Sequence, residues 1–179
     1  MTRWKSLGHK GDFTENIIDH VNQIYEKRGL ALVSKIPVPV KVTQISSGQI
    51  TQAFFEKKST VDYCGVFRGI SICFDAKETN KDYLPLQNIH EHQVEYMAKF
   101  KKHGGFSFLI CNFKTHGIYH FIPFEIVAEF WRDAKSGGRK SIPMSALDQQ
   151  YIIPSQNGLP DYIVPLSMYI RTTTKGCYF

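Results

Sequence analysis

At 179 residues and 20.6 kDa, the chain has the length of one folded domain. Its 42% hydrophobic, 13% aromatic and 21% charged residues exclude a disordered, collagen-like or low-complexity chain. A formal charge of +6 and a pI near 9.1 suit a polyanionic partner.

In chain order, Phe13, Ile17, Val21 and Ile24 recur on one helical face that runs to about Arg28, and Gly29 ends it. Next, Val38, Val40 and Val42 alternate with Pro39, Lys41 and Thr43, and the prolines confine this run to an edge or a projection. Ser46-Ser47-Gly48 is a turn, and QITQAFF returns, so residues 37–55 form either a projecting two-stranded arm or an ordinary edge hairpin. Two β runs, 60–67 and 70–77, follow around Arg68-Gly69. A helix is expected over 89–102, with Ile89, Gln93, Met97 and Phe100 on one stripe, then strands over 106–113 and 117–121. Pro123 opens another helix, which Ser136-Gly137-Gly138 ends. The last forty residues are weakly periodic, with a short helix near 144–149 and a final strand near 162–170.

No run approaches the ~18 apolar residues of a membrane span, and the start MTRWKSLGHKGD lacks the apolar stretch of a signal peptide. Cys64, Cys73, Cys111 and Cys177 show no CxxC spacing and read as free thiols of a cytoplasmic protein. The positive charge is uneven. Lys35, Lys41, Lys57 and Lys58 face only Glu56 within their stretch, and no acid follows Asp161. Basic groups placed beside aromatics suit a phosphate backbone.

The chemistry lies in STVDYCGVFRGISICFDAKET. If Arg68-Gly69 is a two-residue hairpin loop, Asp62 lies opposite Asp75 and Thr60 opposite Lys77, all four on one face. Directly opposed carboxylates repel unless a cation separates them. Mg²⁺ accepts one or two carboxylates and leaves positions for phosphate oxygens. Lys77 could then orient or deprotonate an attacking water, or stabilise charge developing on phosphate. The bland reading of an Asp-x-Lys strand is a solvated face or an ion pair. His90-Glu91-His92 lacks the spacing of a zinc helix and reads as a helix start, and His116 with His120 lacks a completing ligand. Trp131 reads as core or dimer interface before a base-stacking platform.

This pattern resembles the PD-(D/E)xK nuclease superfamily. STVDY, FDAKET and PLQNIHEHQ resemble, more specifically, the RecU Holliday junction resolvases of Gram-positive bacteria and their phages, from about Gly11 to Phe124 and again near residues 141–143. The resemblance implies an α/β fold with a mixed central sheet flanked by helices (restriction-endonuclease-like) and a protruding stalk at about 37–55, within a single nuclease domain. It implies Mg²⁺, with Mn²⁺ able to substitute, and paired symmetric nicks in four-way DNA junctions by a homodimer, with other recombination proteins as further partners and no membrane. Thr60, Asp62, Asp75 and Gln93 would then serve the metal, with Asp62, Asp75 and Lys77 as the catalytic set. Gln93 also stands out by itself as a polar residue on an apolar stripe. Glu15 falls at the family's helix-one Glu, although its first reading from the residues is a capping-box partner of Asp12. Lys10, Lys35, Lys41, Lys57 and Lys58 are the candidate DNA contacts.

The chain departs from the family in several places. Asp75 stands where Glu is usual, the loop over 80–84 and the arm are shorter, and His9-Lys10-Gly11 replaces Asn-Arg-Gly. Lys10 keeps the cation but not the bidentate fork of Arg. Two other readings remain beside the resolvase: a nuclease of the same superfamily acting on duplex DNA, and a non-catalytic junction-binding accessory protein.

Overall fold

The computed structural model describes residues 12–55 and 60–174. Helix α1 (Asp12–Lys27) buries Thr14, Ile18, Val21, Asn22 and Tyr25. The face is rotated from the predicted stripe, and Phe13 is 65% exposed. Two polar residues cause the rotation. Thr14 Oγ1 accepts from Asn112 Nδ2 at 3.1 Å, and Asn22 Oδ1 accepts from Tyr162 Oη at 2.5 Å, so both face inward at no cost in unpaired groups.

Strand β1 (Ala31–Lys35) leads into β2 (Val40–Ser46) and β3 (Gln49–Phe55), which pair antiparallel with each other and with no other described strand. Ser47 and Gly48 turn the arm at φ 52° and 75°. Every residue described from Pro37 to Phe54 is exposed, including Val40, Val42, Ile45, Ile50 and Phe54, so the hairpin projects from the body. Its strands span roughly 20 Å at the usual rise.

The body is a six-stranded sheet. It comprises β1, β4 (Tyr63–Phe67), β5 (Ile70–Thr79), β7 (Phe106–Phe113), β8 (Ile118–Pro123) and β10 (Ile152–Ile153), in the order β1-β4-β5-β7-β8-β10. Only β5 and β7 run parallel, and α2 (Glu91–Lys102) makes the crossover that a parallel pair requires. A short pair, β6 (Tyr83–Pro85) with β9 (Ser141–Pro143), brackets α2 and α3 (Phe124–Lys135). After the small hairpin β11 (Ser155–Gln156) and β12 (Leu159–Pro160), the chain closes with α4 (Ile163–Thr174).

Alternation along the strands sorts the core. Ile72, Phe74, Phe108 and Phe121 face α1 and α4, where they meet Ile18, Tyr162, Leu166 and Tyr169. Cys73, Leu109, Cys111 and Ile122 face α2 and α3 and meet Val94, Met97 and Val127. Lys101–Glu125 and Lys135–Glu91 ion pairs join those two helices on the outside.

The strand expected near 162–170 is instead α4. Pro165 lies in the first helical turn, where a backbone N–H has no intrahelical partner to lose. Tyr162, Leu166, Tyr169 and Ile170 then bury at helical spacing. The short helix expected near 144–149 is two single 3₁₀ turns, Met144–Ala146 and Gln149–Tyr151. Cys64, Cys73 and Cys111 are free thiols, and Cys177 lies outside the described residues.

Candidate active site

The hairpin of β4 and β5 determines the site. Arg68 and Gly69 adopt φ 50° and 80°, the two positive values that give a two-residue loop the twist of its flanking strands. Tyr63 pairs with Phe74 and Cys64 with Cys73, which is the register read from the sequence. One step beyond the ladder, Asp62 and Asp75 meet face to face. Asp75 Oδ1 accepts from the Asp62 N–H at 3.0 Å, and Asp62 Oδ2 accepts from the Ala76 N–H at 3.0 Å. The Asp62 carbonyl is held by the Ile36 N–H at 2.7 Å, which extends β1 to the edge of the site.

Because Phe74 and Ala76 face α1 and α4, Asp75 and Lys77 face α2. There Gln93, buried in the first turn of the helix, donates from Nε2 to Asp75 Oδ1 at 2.9 Å. Its Oε1 accepts from the His90 N–H at 2.9 Å, so the helix start fixes the amide and the amide fixes Asp75. His90 thus takes part in helix-start bonding, as expected. The remaining oxygen, Asp75 Oδ2, is buried without a hydrogen bond and faces the Lys77 ammonium as an ion pair.

Burial and the neighbouring Asp75 charge raise Asp62 from 3.8 to about 7, against the opposing pull of Lys77. Burial alone would depress Lys77. The charges of Asp75 and Asp62 and the Asp75 contact outweigh it, leaving Lys77 above its ordinary range and charged. The site therefore holds two facing hard carboxylates, and one Asp75 oxygen has the Lys77 ammonium against it in place of a hydrogen bond. A divalent cation with oxygen preference fits that donor set. Among the described residues no cluster of three or more His, Cys, Asp or Glu could hold a metal, so two carboxylates are the charged donors available.

The other expected residues are less closely gathered. Thr60 is half-buried, two residues before Asp62 and outside the ladder. Glu15 lies on α1 and pairs with Lys35 at 3.0 Å, although its charge reaches Lys77. Lys35 also meets Asp19 at 3.3 Å, so two carboxylates surround this candidate DNA contact. Lys41 is exposed on the arm. Lys10, Lys57 and Lys58 lie outside the described residues, as does the side chain of Asp12.

Asp19 and Tyr63 stand outside the residues singled out in the sequence. Tyr63 does stack on Phe74 at 4.8 Å, but its hydroxyl also donates to Asp19 Oδ1 at 2.7 Å and lies 3.1 Å from the Glu15 carbonyl. This tether ties α1 to the residue after Asp62. The i, i+4 pair Glu15 and Asp19 opposite an inward Tyr was its available signal.

Comparison with known proteins matches residues 9–167 to the family profile described as RecU, Recombination protein U. The chain is 37% identical over 166 residues to a protein of Geobacillus sp. (strain WCH70) named Holliday junction resolvase RecU, covering 88% of this chain and 83% of that one. It is 38% identical over 175 residues to the protein of the same name from Pediococcus pentosaceus, covering 94% and 84%. Among solved structures, Archaeoglobus fulgidus Hjc, a Holliday junction resolvase from an archaeal hyperthermophile, aligns over 74% of this chain and 90% of its own. That likeness is loose, with a TM-score of 0.46 and 10% identity.

Proposed function

We propose that this chain, which belongs to the RecU family, is a Mg²⁺-dependent endonuclease that resolves four-way DNA junctions by paired nicks. The observation that carries the reading is the half-buried Asp62 opposed to the buried Asp75, with the Lys77 ammonium paired to the Asp75 oxygen that takes no hydrogen bond. A binder of DNA alone has no use for two carboxylates at a phosphate surface.

Asp62 and Asp75 would hold the metal, with Thr60 as a neighbouring donor and Gln93 keeping the Asp75 carboxylate in place. When bound, the ion supplies positive charge at the scissile phosphate. The protein's own groups do the rest. The Asp62 and Ala76 N–H groups and the Gln93 amide fix both carboxylates before substrate arrives, so little reorganisation remains at the chemical step. Lys77, charged and half-buried, presents an ammonium where phosphate charge grows or where a water is aimed.

One site makes one nick, so paired cuts call for a two-fold homodimer. The exposed arm of β2 and β3 supplies an element long enough to enter the centre of a branched substrate, with Lys41 on it. Among the described residues no helix is long and apolar enough to cross a membrane. We place the protein in the cytoplasm as one nuclease domain bearing this arm. Incubation with a four-way junction and with linear duplex, each in Mg²⁺ or EDTA, tests the reading. Metal-dependent cutting of the junction alone is expected, whereas equal cutting of both substrates would make it a general nuclease.

A further inference from the structure

Outside the carboxylate site, a cleft of about 760 Å³ opens between α3 and the β6–β9 pair. That volume falls within the range that admits a small organic ligand. Two aromatics, Tyr83 and Trp131, line it beside four cations, Lys81, Lys135, Arg139 and Lys140, and no acid lines it. Lys135 is already paired with Glu91 at 2.6 Å, and Arg139 donates from Nε to Ser141 Oγ at 3.0 Å. Lys81 places its ammonium 5.1 Å from the Tyr83 ring centroid. The ligand this chemistry recognises has a flat, aromatic body and negative charge close to it. A second copy of the chain is a poor occupant, since a two-fold contact there would set four cations against the same four.

The cleft also adjoins the carboxylate site through the chain. Strand β5, which carries Asp75 and Lys77, runs on towards Lys81, and Ile89, in the cleft wall, lies just before α2, whose first turn holds Gln93. We propose that this cleft binds an unstacked nucleotide of single-stranded DNA, the base against Trp131 and the flanking phosphates at Lys81, Arg139 and Lys140. Base–aromatic stacking supplements phosphate attraction and tolerates any sequence. A branched substrate whose strands leave the stack near the crossover would present such a nucleotide.

The inference goes beyond the proposed activity and is tested without it, because binding is measured in EDTA. Trp4 and Trp131 are the two tryptophans, so a Trp4→Phe background makes Trp131 the reporter. Titration with hexathymidylate at one fixed salt concentration is expected to quench Trp131 fluorescence. An abasic hexamer of equal charge should bind about tenfold more weakly, the stacking share of the affinity. The double variant Lys81→Ala/Lys140→Ala should lose about tenfold in hexathymidylate affinity while retaining its melting temperature, oligomeric state and linear-duplex affinity. Read by the anisotropy of a fluorescein-labelled hexathymidylate, Trp131→Phe should keep most of the binding that Trp131→Leu loses. Equal affinity for the abasic hexamer would reduce the cleft to a basic patch and overturn the proposal. So would an absence of quenching, or a double variant that changes oligomeric state instead of affinity.

Discussion

The opposed carboxylates make the metal-free protein's stability depend on pH in an unusual direction. Asp62 is raised from 3.8 to about 7, by burial first and the Asp75 charge second. Between those values the folded state keeps a proton that the unfolded chain releases. Stability contributed by this group is therefore full at the acidic end and falls as pH rises through about 7. Each unit of displacement is worth about 1.4 kcal/mol, and Asp62 shares its cluster with Asp75 and Lys77, so a loss of roughly 2–4 kcal/mol is expected. Urea unfolding in EDTA at pH 5, 6, 7 and 8 measures it. His120, which burial pushes down, works with the opposite sign, so the comparison is the wild type minus Asp62→Asn. Asn keeps an acceptor for the Ala76 N–H and removes the charge. It should flatten the slope, and saturating Mg²⁺ should restore wild-type stability at pH 8 by binding only the folded state. A wild type and Asp62→Asn with the same slope would show that the carboxylates do not oppose each other.

Asp75→Asn should cut junction nicking by orders of magnitude while junction binding in EDTA holds or improves, since one repulsive charge leaves a phosphate surface. Lys77→Ala should lower the maximal rate more than it raises the apparent substrate constant in steady-state kinetics. Replacing residues 40–51 by a short Gly-Ser turn should leave melting temperature and dimerisation intact, because the described arm is solvent-exposed, yet abolish preference for a junction over duplex in binding titrations. Gly65→Ala should destabilise by about 2 kcal/mol or more in urea unfolding. Its added carbon would lie 2.2 Å from the Leu32 carbonyl oxygen, where β1 backs the β4–β5 hairpin.

What could be read in advance follows from where the determinants lie. The Asp62–Asp75 opposition was legible because a two-residue turn fixes register within a few residues of itself, and Arg68-Gly69 is such a turn. The hairpin was legible because prolines and a Ser-Ser-Gly turn bound its alternating valines, but periodicity left open whether it projects or lies at a sheet edge. Gln93 was legible as a polar residue on an apolar stripe, but not the two-way bonding that ties it to His90 and Asp75. The face of α1 was misjudged because Thr14 and Asn22 turn inward for partners about 100 or more residues away, which no local periodicity carries. Helix α4 was mistaken for a strand because Ile163, Val164 and Ile170 are β-branched and favour strands locally, which the burial at 162, 166, 169 and 170 overrides. The basic, aromatic cleft joins residues near 81–89 with others near 131–141, a meeting that only the β6–β9 pairing reveals.

The central claim is that Asp62, Asp75 and Lys77 form a metal-dependent site that cuts branched DNA twice. The most direct measurement uses a four-way junction labelled on each strand in turn, incubated with the 179-residue protein in Mg²⁺ and in EDTA. Symmetric nicks in two opposing strands, seen only with Mg²⁺ and absent from Asp75→Asn, are predicted. Cleavage that persists in EDTA or in Asp75→Asn, or nicks confined to one strand, would contradict it.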